Sequence, residues 1–597
     1  MEQELIDRYQ TLTNLYQEKC DKQKLRLRLV SWIRLAFFLF LVASIVYLIP
    51  VSHTLGWIAV LAFMAGFLLL IKQSVSTERL LNYYQNLVQI NQNEIKAIRH
   101  DLSPFNGGNE YIHPEHDYSY DLDLFGEDSF FQFLNRTVTV GGKNMLAGSI
   151  QNSKENQYTI QQKQEAVDEL ADCLEWRQQF LASGYQAENI RSADFILHQP
   201  QTIQLIYISF LKVTLILLPV ITISLGVLWI MDVIPNQAFT FMVILQWGLF
   251  FLYSKTIGKF KKTYGLKSKL LNQYVDMLTL IEKKEFKSNY LVQLKSKLFS
   301  QGKSASELTS LLQKVLNELD YSQNLLVGFV LDSILLWDIR CVYRLNQWHN
   351  DYESNMTQWF DVIAQMDALI SLANLNYNHP EWALPQIAER EGLLHAEDLG
   401  HPLIPKEKRI GNSFSLKEEE RVVIITGANM AGKSTFLRTL GVNLILAAQG
   451  CRVCASSFSF TPMRLFTHMR TSDNLMKDES YFYAELLRLH HMLELLRQGE
   501  NLFIIIDEML KGTNSIDKLN GSVELLKQLI QYKIHCVVAT HDLKLTELAD
   551  QYPHVIKNQC FEVNLANNDL EFDYKLRDGV TSTMNATFLM RKMGIIP

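Results

Sequence analysis

Two stretches in which charged positions vanish interrupt a chain otherwise patterned as long amphipathic helices. From Leu35 to Ile71 there is no Asp, Glu, Lys or Arg, and the only break lies around Pro50-Val51-Ser52-His53-Thr54. Each arm is about 17 residues, the short end of what crosses a hydrocarbon core. A second block, Val213 to Tyr253, is interrupted by Met231 to Gln237. Each block predicts a helical hairpin with a tight polar turn, so four transmembrane helices in two hairpins. Lys22, Lys24, Arg26, Arg28 and Arg34 precede the first hairpin, and Lys72 and Arg79 follow it. Lys212 precedes the second, and Lys255, Lys259, Lys261 and Lys262 follow it, while neither turn carries Lys or Arg. By the positive-inside rule this predicts a multi-pass protein of the inner (cytoplasmic) membrane, with N-terminus and C-terminal domain in the cytoplasm. The competing reading is two pairs of helices buried in a large soluble core.

Residues 1–29 and 73–101 space Leu, Ile and Tyr helically among Gln, Asn, Lys and Glu. They are expected to extend the first two membrane helices and to pair as an antiparallel coil. Gly, Pro and Asn between Ser103 and Asp121 mark a loop. It carries His113, His116 and Asp117, with His100 just before it, in a spacing that matches no standard zinc pattern. No structural metal is expected there. Asn156 to Ser183 and about Gly258 to Ala388 read as long amphipathic helices. After Asn378–Pro385 the texture changes to short β-branched runs, RVVIIT, NLFIIID and HCVVAT, spaced by helical segments. That alternation predicts an α/β domain with a mostly parallel sheet. The expected organisation is a cytoplasmic helix (1–34), hairpin 1 (35–72), a helix and loop linker (73–128), a helical core in two parts (129–204 and 256–400) split by hairpin 2 (205–255), and the α/β domain (401–597).

Composition changes this picture little. At 597 residues the chain exceeds one ordinary core. Its 48% of apolar residues is a surplus concentrated in the two hairpin blocks. A net charge of -6 argues against a protein basic overall, although a local basic groove is compatible with it. Lys259 to Lys269 mixes lysines with aromatics. Directly after a membrane helix it reads as a lipid anchor, with nucleic-acid contact as the alternative. Seven scattered cysteines, with Cys451 and Cys454 as one close pair, suggest no disulfide framework and a reducing compartment.

The candidate chemistry lies in the α/β domain. Gly427-Ala428-Asn429-Met430-Ala431-Gly432-Lys433-Ser434 follows a strand pattern and opens a helix pattern. The glycines let backbone N–H groups turn toward phosphate oxygens at a helix N-terminus. Lys433 is placed to neutralise the β- and γ-phosphates, Ser434 to offer its hydroxyl to Mg²⁺, and Thr435 to contact the α-phosphate side. Downstream, Phe503 to Ile506 form a buried strand pattern ending in Asp507-Glu508. Asp507 is the candidate Mg²⁺ holder through water, and Glu508 the group that polarises attacking water. A third strand pattern ends in His541, a candidate γ-phosphate sensor. Together these predict a Mg²⁺-dependent ATPase with ATP as substrate and Lys433, Glu508 and His541 as its catalytic residues.

TGANMAGKST, DEMLKGTNSID and ATHD resemble the ATPase domain of the MutS family of DNA mismatch-repair proteins, where Asn429-Met430 is more specific than the phosphate pattern itself. Ser472 to Leu489 is similar to the family's signature segment. The resemblance implies that Ser480 reaches the γ-phosphate of a partner subunit, in a homodimer joined through the ATPase domains, and that Glu485 matches the acid that follows. FDYKLRDGVTSTMNATFLMRKMGIIP resembles the family's closing strand and helix, and Gly400 to Pro405 its entry into the domain. Ser129 to Ile150, the following NQYTIQQKQEAVDELAD and Gln365 to Leu375 look like parts of its helical core. About half of the chain is covered in this way. GCRVCA falls where the family has a Gly-x-x-Val-Pro-Ala strand entry, which makes Cys451 and Cys454 packing residues.

The likeness stops at the DNA-reading parts. Members that read mismatches begin with a domain whose Phe-x-Glu wedges beside the mispaired base. Here an amphipathic helix and a membrane hairpin stand in its place, and the one Phe-x-Glu, Phe125-Gly-Glu127, precedes the core. Hairpin 2 interrupts the core, no DNA-clamping domain is identifiable, and the sequence ends at Pro597, where the family's pattern continues into a dimerisation element. The expected fold class is thus an α/β P-loop ATPase domain of the ABC/MutS type, a long all-α core with lever helices, and four transmembrane helices. The expected function is ATP-driven closure of the levers, on DNA or on the membrane hairpins. The alternatives are an ATP-switched membrane scaffold and an ABC-type transport component, the latter opposed by the absence of an LSGGQ sequence.

Overall fold

The computed structural model describes residues 2–152, 154, 156–185, 208–230, 233–264, 268–300, 302–322, 325–388, 394–428, 430–470, 481–532, 534–566, 569–582 and 596. Helix α1 (Glu2–Ala43) passes through a π-helical turn, Ser44–Leu48, and a short helix, Ile49–Val51, before α2 (His53–Ile98) begins. The polar turn expected over Pro50 to Thr54 reduces to Ser52, the one residue here with extended backbone (φ -151°, ψ 109°). Pro50 sits in the first turn of the short helix, where its fixed φ is compatible and its missing N–H costs nothing. The two long helices run antiparallel: Phe37 packs edge-on to Phe63, and Lys19 lies over the Tyr84 ring. A Cβ at Gly66 would come within 2.3 Å of the Phe37 ring, so the glycine sets how closely they approach.

The helical core follows as α3 (Val140–Gln151), α4 (Gln157–Ala171), α5 (Leu174–Gly184), α6 (Ile208–Ile230), α7 (Asn236–Tyr264), α8 (Ser268–Lys283), α9 (Ala305–Tyr321), α10 (Leu325–Leu335) and α11 (Trp337–Asn378). At 1.5 Å per residue α11 is a rod about 63 Å long. Its buried Asp367 accepts hydrogen bonds from the backbone N–H of Val138 and Thr139 and from the Thr139 hydroxyl, which itself caps α3 through Gly142 N. A Cβ on Gly142 would lie 2.2 Å from that carboxylate, so only glycine fits. Near the opposite end of α2, buried Glu94 receives Arg136 Nε at 2.5 Å, Asn374 Nδ2 at 3.0 Å and Asn378 Nδ2 at 3.1 Å. Tyr9 and Arg177 complete the network by donating to Asn378 and Asn374. One carboxylate thus ties α1, α2, α5 and α11 together at the end of the core nearest the α/β domain.

Four described segments, within Glu2–Leu48, Ile58–Ile98, Lys212–Trp229 and Asn236–Lys261, are helices long and apolar enough to cross a membrane. Their large apolar side chains point outward, as with Trp32, Leu69, Phe241 and Leu252, the last 77% exposed. A soluble core would bury such residues. Thr222 and Gln246 face each other inside the α6/α7 pair with a 2.6 Å hydrogen bond.

The C-terminal domain holds strands β1 (Gln386–Ile387), β2 (Leu394–Leu399), β3 (Asn412–Leu416), β4 (Val422–Gly427), β5 (Ser457–Phe460), β6 (Arg464–His468), β7 (Leu502–Asp507), β8 (His535–Thr540), β9 (Ile556–Ala566) and β10 (Asp569–Asp578). Its main sheet runs β10-β9-β4-β8-β7-β6, parallel except for β10. Helices α12 (Lys433–Ala448), α13 (Tyr481–Arg497) and α14 (Ser515–Gln531) flank it. The central strands are buried on both faces and read as continuous apolar runs for that reason. A smaller sheet, β1-β5-β2-β3, packs at the entry to the domain.

The loop that carries His113, His116 and Asp117 is a strap between the two parts of the protein. Asp117 takes Arg464 at 2.8 Å and His491 at 3.2 Å, and its carbonyl accepts from Thr467 N on edge strand β6. His116 engages the Gln151 carbonyl. Buried Asp121 accepts from Thr467 Oγ1, Met469 N and Arg470 N. The strap satisfies part of a sheet edge that would otherwise be open. Cys451 and Cys454 are buried, and burial pushes the Cys454 thiol up to about 11 despite the Arg409 guanidinium on its sulfur. Neither is poised as a thiolate, in keeping with packing.

Candidate functional site

Strands β4, β7 and β8 end side by side, and parallel register brings three distant sequence segments to one edge. Strand β4 ends at Gly427, whose φ of 155° and close approach to the Phe561 carbonyl leave no room for a side chain. The loop re-enters helix at Gly432, the N-cap of α12, with φ 107°. Gly432 has no side chain with which to cap that end, so the first N–H groups of α12 and its positive dipole end face the loop.

Lys433 folds back into this loop. Its Nζ donates to the carbonyls of Gly427 (2.8 Å) and Ala428 (2.9 Å) and lies 3.3 Å from His541 Nε2. Burial lowers its pKa to about 8, against the pull of Asp507 and Glu508. Ser434 Oγ donates to Asp507 Oδ2 at 2.5 Å. Two hard oxygens from α12 and the end of β7 therefore meet at one point, the donor type and placement that suit Mg²⁺. The residues fit the metal that the sequence pattern implies.

Glu508 stands in the left-handed region (φ 60°), its N–H held by the Ala539 carbonyl. That backbone turn aims its carboxylate at His541, with Oε1 3.0 Å from Nε2, while Lys518 lies 3.7 Å from Oε2. The hydrogen bond to His541 is the main reason its pKa drops to about 2, with Lys518 and Lys511 adding to it. Glu508 is thus an anion throughout the physiological range, able to orient and polarise a water.

Of the predicted residues, Gly427, Ala428, Met430, Ala431, Gly432, Lys433, Ser434 and Thr435 line this loop and the first turn of α12, with Met430 and Thr435 exposed. Asp507, Glu508 and His541 converge on it. Asn429 and Ser480 lie outside the described residues, as do Ser472 to Glu479 of the signature segment and residues 583–595 and 597 of the closing segment. Glu485 has a role that its position in the pattern did not reveal. Buried on α13, it accepts from Leu510 N at 2.6 Å, Lys511 N at 3.1 Å and His468 Nε2 at 3.1 Å. It locks the loop that carries Glu508 to α13, the helix in which the signature segment ends. Lys518 was also missed. An acid on an apolar helix face and a lysine after a turn give no sequence signal for either contact.

Residues 423–593 match the family model for MutS domain V. That segment is a MutS domain V, and it supports membership of the MutS family. The MutS part of the chain is 28% identical over 299 residues to human MutS protein homolog 4, covering 48% of this chain and 29% of that protein. It is 30% identical over 251 residues to DNA mismatch repair protein MSH4 of Arabidopsis thaliana, covering 41% and 31%. It is 31% identical over 222 residues to DNA mismatch repair protein MutS of Thermotoga petrophila, covering 36% and 27%. The chain thus spans less than a third of the length of these MutS relatives.

Proposed function

We propose that this protein is a membrane-anchored MutS-type ATPase in which ATP binding and hydrolysis drive closure of the long helices, on DNA in the manner that the mismatch-repair names of its relatives suggest. The observation that carries the ATPase reading is the convergence of Lys433, the Ser434–Asp507 oxygen pair and the Glu508–His541 pair at the ends of β4, β7 and β8. Lys433 and the loop N–H groups hold the phosphates, and Ser434 and Asp507 hold Mg²⁺, which when bound supplies charge neutralisation at the phosphate oxygens. Glu508, fixed by His541, orients the attacking water and accepts its proton. His541 touches both Glu508 and Lys433, so a phosphate drawing Lys433 outward is felt at Glu508. Ser480 of a second copy completes the site in a homodimer. Multi-pass anchoring in the cytoplasmic membrane, with the ATPase domain in the cytoplasm, is supported by the outward apolar faces of α1, α2, α6 and α7 and by their basic flanks.

A second reading has its own support. The far end of α11 leads into α10, which packs on the α6/α7 pair through Trp247 and Phe329, so the rods have a membrane-type helix pair as a partner. Closure then works on that pair and needs no DNA. The deciding experiment is ATP hydrolysis by the detergent-purified protein, with Lys433→Ala as control, alone and with matched, mismatched and branched duplexes. Duplex-stimulated turnover supports the DNA reading. Turnover unchanged by every duplex, with no DNA retained, leaves the membrane reading. No turnover beyond the Lys433→Ala control refutes the ATPase assignment.

A further inference from the structure

Between the antiparallel rods α9 and α11 the chain makes a short excursion, α10, of sequence LLVGFVLDSIL. The rods lie close: Trp337 Nε1 donates to the Glu318 carbonyl and Trp348 Nε1 to the Leu308 carbonyl, fixing their antiparallel register. Leu336, with φ 52°, turns α10 into α11. A Cβ on Gly328 would lie 2.5 Å from the Ser322 carbonyl, so a glycine is what lets α10 fold back over the end of α9.

A solvated helix at the tip of such an arm should carry a polar face. Phe329 and Val330 instead stand 54% and 53% exposed, on an eleven-residue helix whose only charge is Asp332. That carboxylate turns inward and receives Asp338 N at 2.8 Å. Asp338 in turn pairs with Lys261 of α7 at 2.5 Å and accepts from the Ser322 hydroxyl. The charges of the junction are thus consumed among themselves, and Phe329 and Val330 face outward.

The level at which α10 meets α7 says what surrounds it. Trp247 Nε1 donates to Ser333 Oγ at 2.9 Å, and the Trp247 ring lies 5.0 Å from that of Phe329. Trp247 precedes Lys255, the first lysine of α7, by about 12 Å along the helix axis. Around it Ile244, Leu245, Phe251 and Leu252 are all exposed. Phe329 and Val330 therefore continue the outward apolar surface of α6/α7 at a depth where, if that pair spans a bilayer, only hydrocarbon surrounds it.

We propose that α10 is a fifth membrane-embedded element, seated in lipid against hairpin 2, by which the α9/α11 arm grips that hairpin inside the bilayer. This rests on the membrane reading above. It assigns the arm tip a lipid environment, where a soluble clamp would have an aqueous groove, and makes the Lys261–Asp338 pair the junction at the membrane's cytoplasmic face. An arm held at that depth transmits its motion to the hairpin directly.

The test reconstitutes the full chain in phosphatidylcholine vesicles doped with a phosphatidylcholine bearing a diazirine in its acyl chain, irradiates them, and reads lipid adducts by mass spectrometry. Adducts on residues 325–335 are expected within about threefold of those on the Phe251–Leu252 segment, both being at hydrocarbon depth. Leu311 and Tyr321, exposed on α9, should stay unlabelled. Labelled hairpins with an unlabelled α10 overturn this inference and leave the membrane reading standing. Unlabelled hairpins remove the membrane reading, and this inference with it.

Discussion

Lys433 gives the sharpest quantitative expectation. Burial in the loop lowers its pKa from 10.5 to about 8. Phosphates placed at the loop restore its charge, so above pH 8 nucleotide binding must take up a proton. The sign follows: affinity is flat well below pH 8 and falls as pH rises through it, approaching tenfold per unit. Between pH 7.5 and 9.5 the expected loss is about 25-fold, over a range where the last phosphate ionisation, near pH 6, is already complete. In the free protein the same shift makes the unfolded chain bind more protons between pH 8 and 10.5, so the cost of burying this ammonium is relieved as pH rises through that window. The assay is equilibrium binding of a fluorescent ATP analogue with Mg²⁺ at pH 7.5, 8.5 and 9.5. Calorimetry in two buffers of different ionisation heat counts the protons. Lys433→Arg, charged throughout, should bind more weakly yet lose the pH dependence. A wild-type affinity that stays flat to pH 9.5, or an arginine variant with the same slope, refutes the depressed lysine.

Other expectations follow from the same contacts. Glu508→Gln should retain nucleotide while hydrolysis falls by roughly 10²–10⁴-fold, read by single-turnover kinetics; wild-type turnover would remove Glu508 from its role. Because the pKa of Glu508 is depressed to about 2, its favourable interaction is present above pH 4.5 and lost as pH falls toward 2, so titration of this group should produce no acid limb in the activity profile above pH 4. Glu485→Ala should leave the Leu510 and Lys511 N–H groups without their carboxylate and lower turnover more than affinity, whereas equal losses in both would mean a purely structural role. Glu94→Ala strands the buried Arg136 and should cost about 3–5 kcal/mol by denaturant unfolding in detergent. The Glu94→Ala/Arg136→Ala pair should be clearly less damaged than the sum of the single variants, and strict additivity would deny the coupling.

The strands and the loop were legible because each carries a local signal. RVVIIT and NLFIIID are apolar without alternation because parallel strands β4 and β7 are covered on both faces, and Gly427 and Gly432 stand where φ is positive. The apolar helices were legible for a similar reason, since composition alone sets whether a segment can cross hydrocarbon. The turn of the first hairpin was overestimated, because Pro50 is compatible with the first turn of a helix and only Ser52 needed to leave it.

Tertiary structure alone decided the partners. His541 as neighbour of both Glu508 and Lys433 depends on β8 lying between β4 and β7, an order that no local pattern encodes. Glu485 on the 510–511 backbone, Asp121 on the end of β6 and Glu94 beneath Arg136 are buried carboxylates whose partners lie 25 to 349 residues away. Hydrophobic periodicity says which face of an element is inward and is silent on which charge will wait there. The amino-acid sequence determined the elements, the phosphate-type loop and the apolar hairpins, because those depend on neighbours along the chain. The strap from 103 to 128, the pairing of the acids and the seat of α10 against Trp247 were settled only when packing brought distant surfaces together, since burying a polar group requires a partner that just the assembled fold supplies.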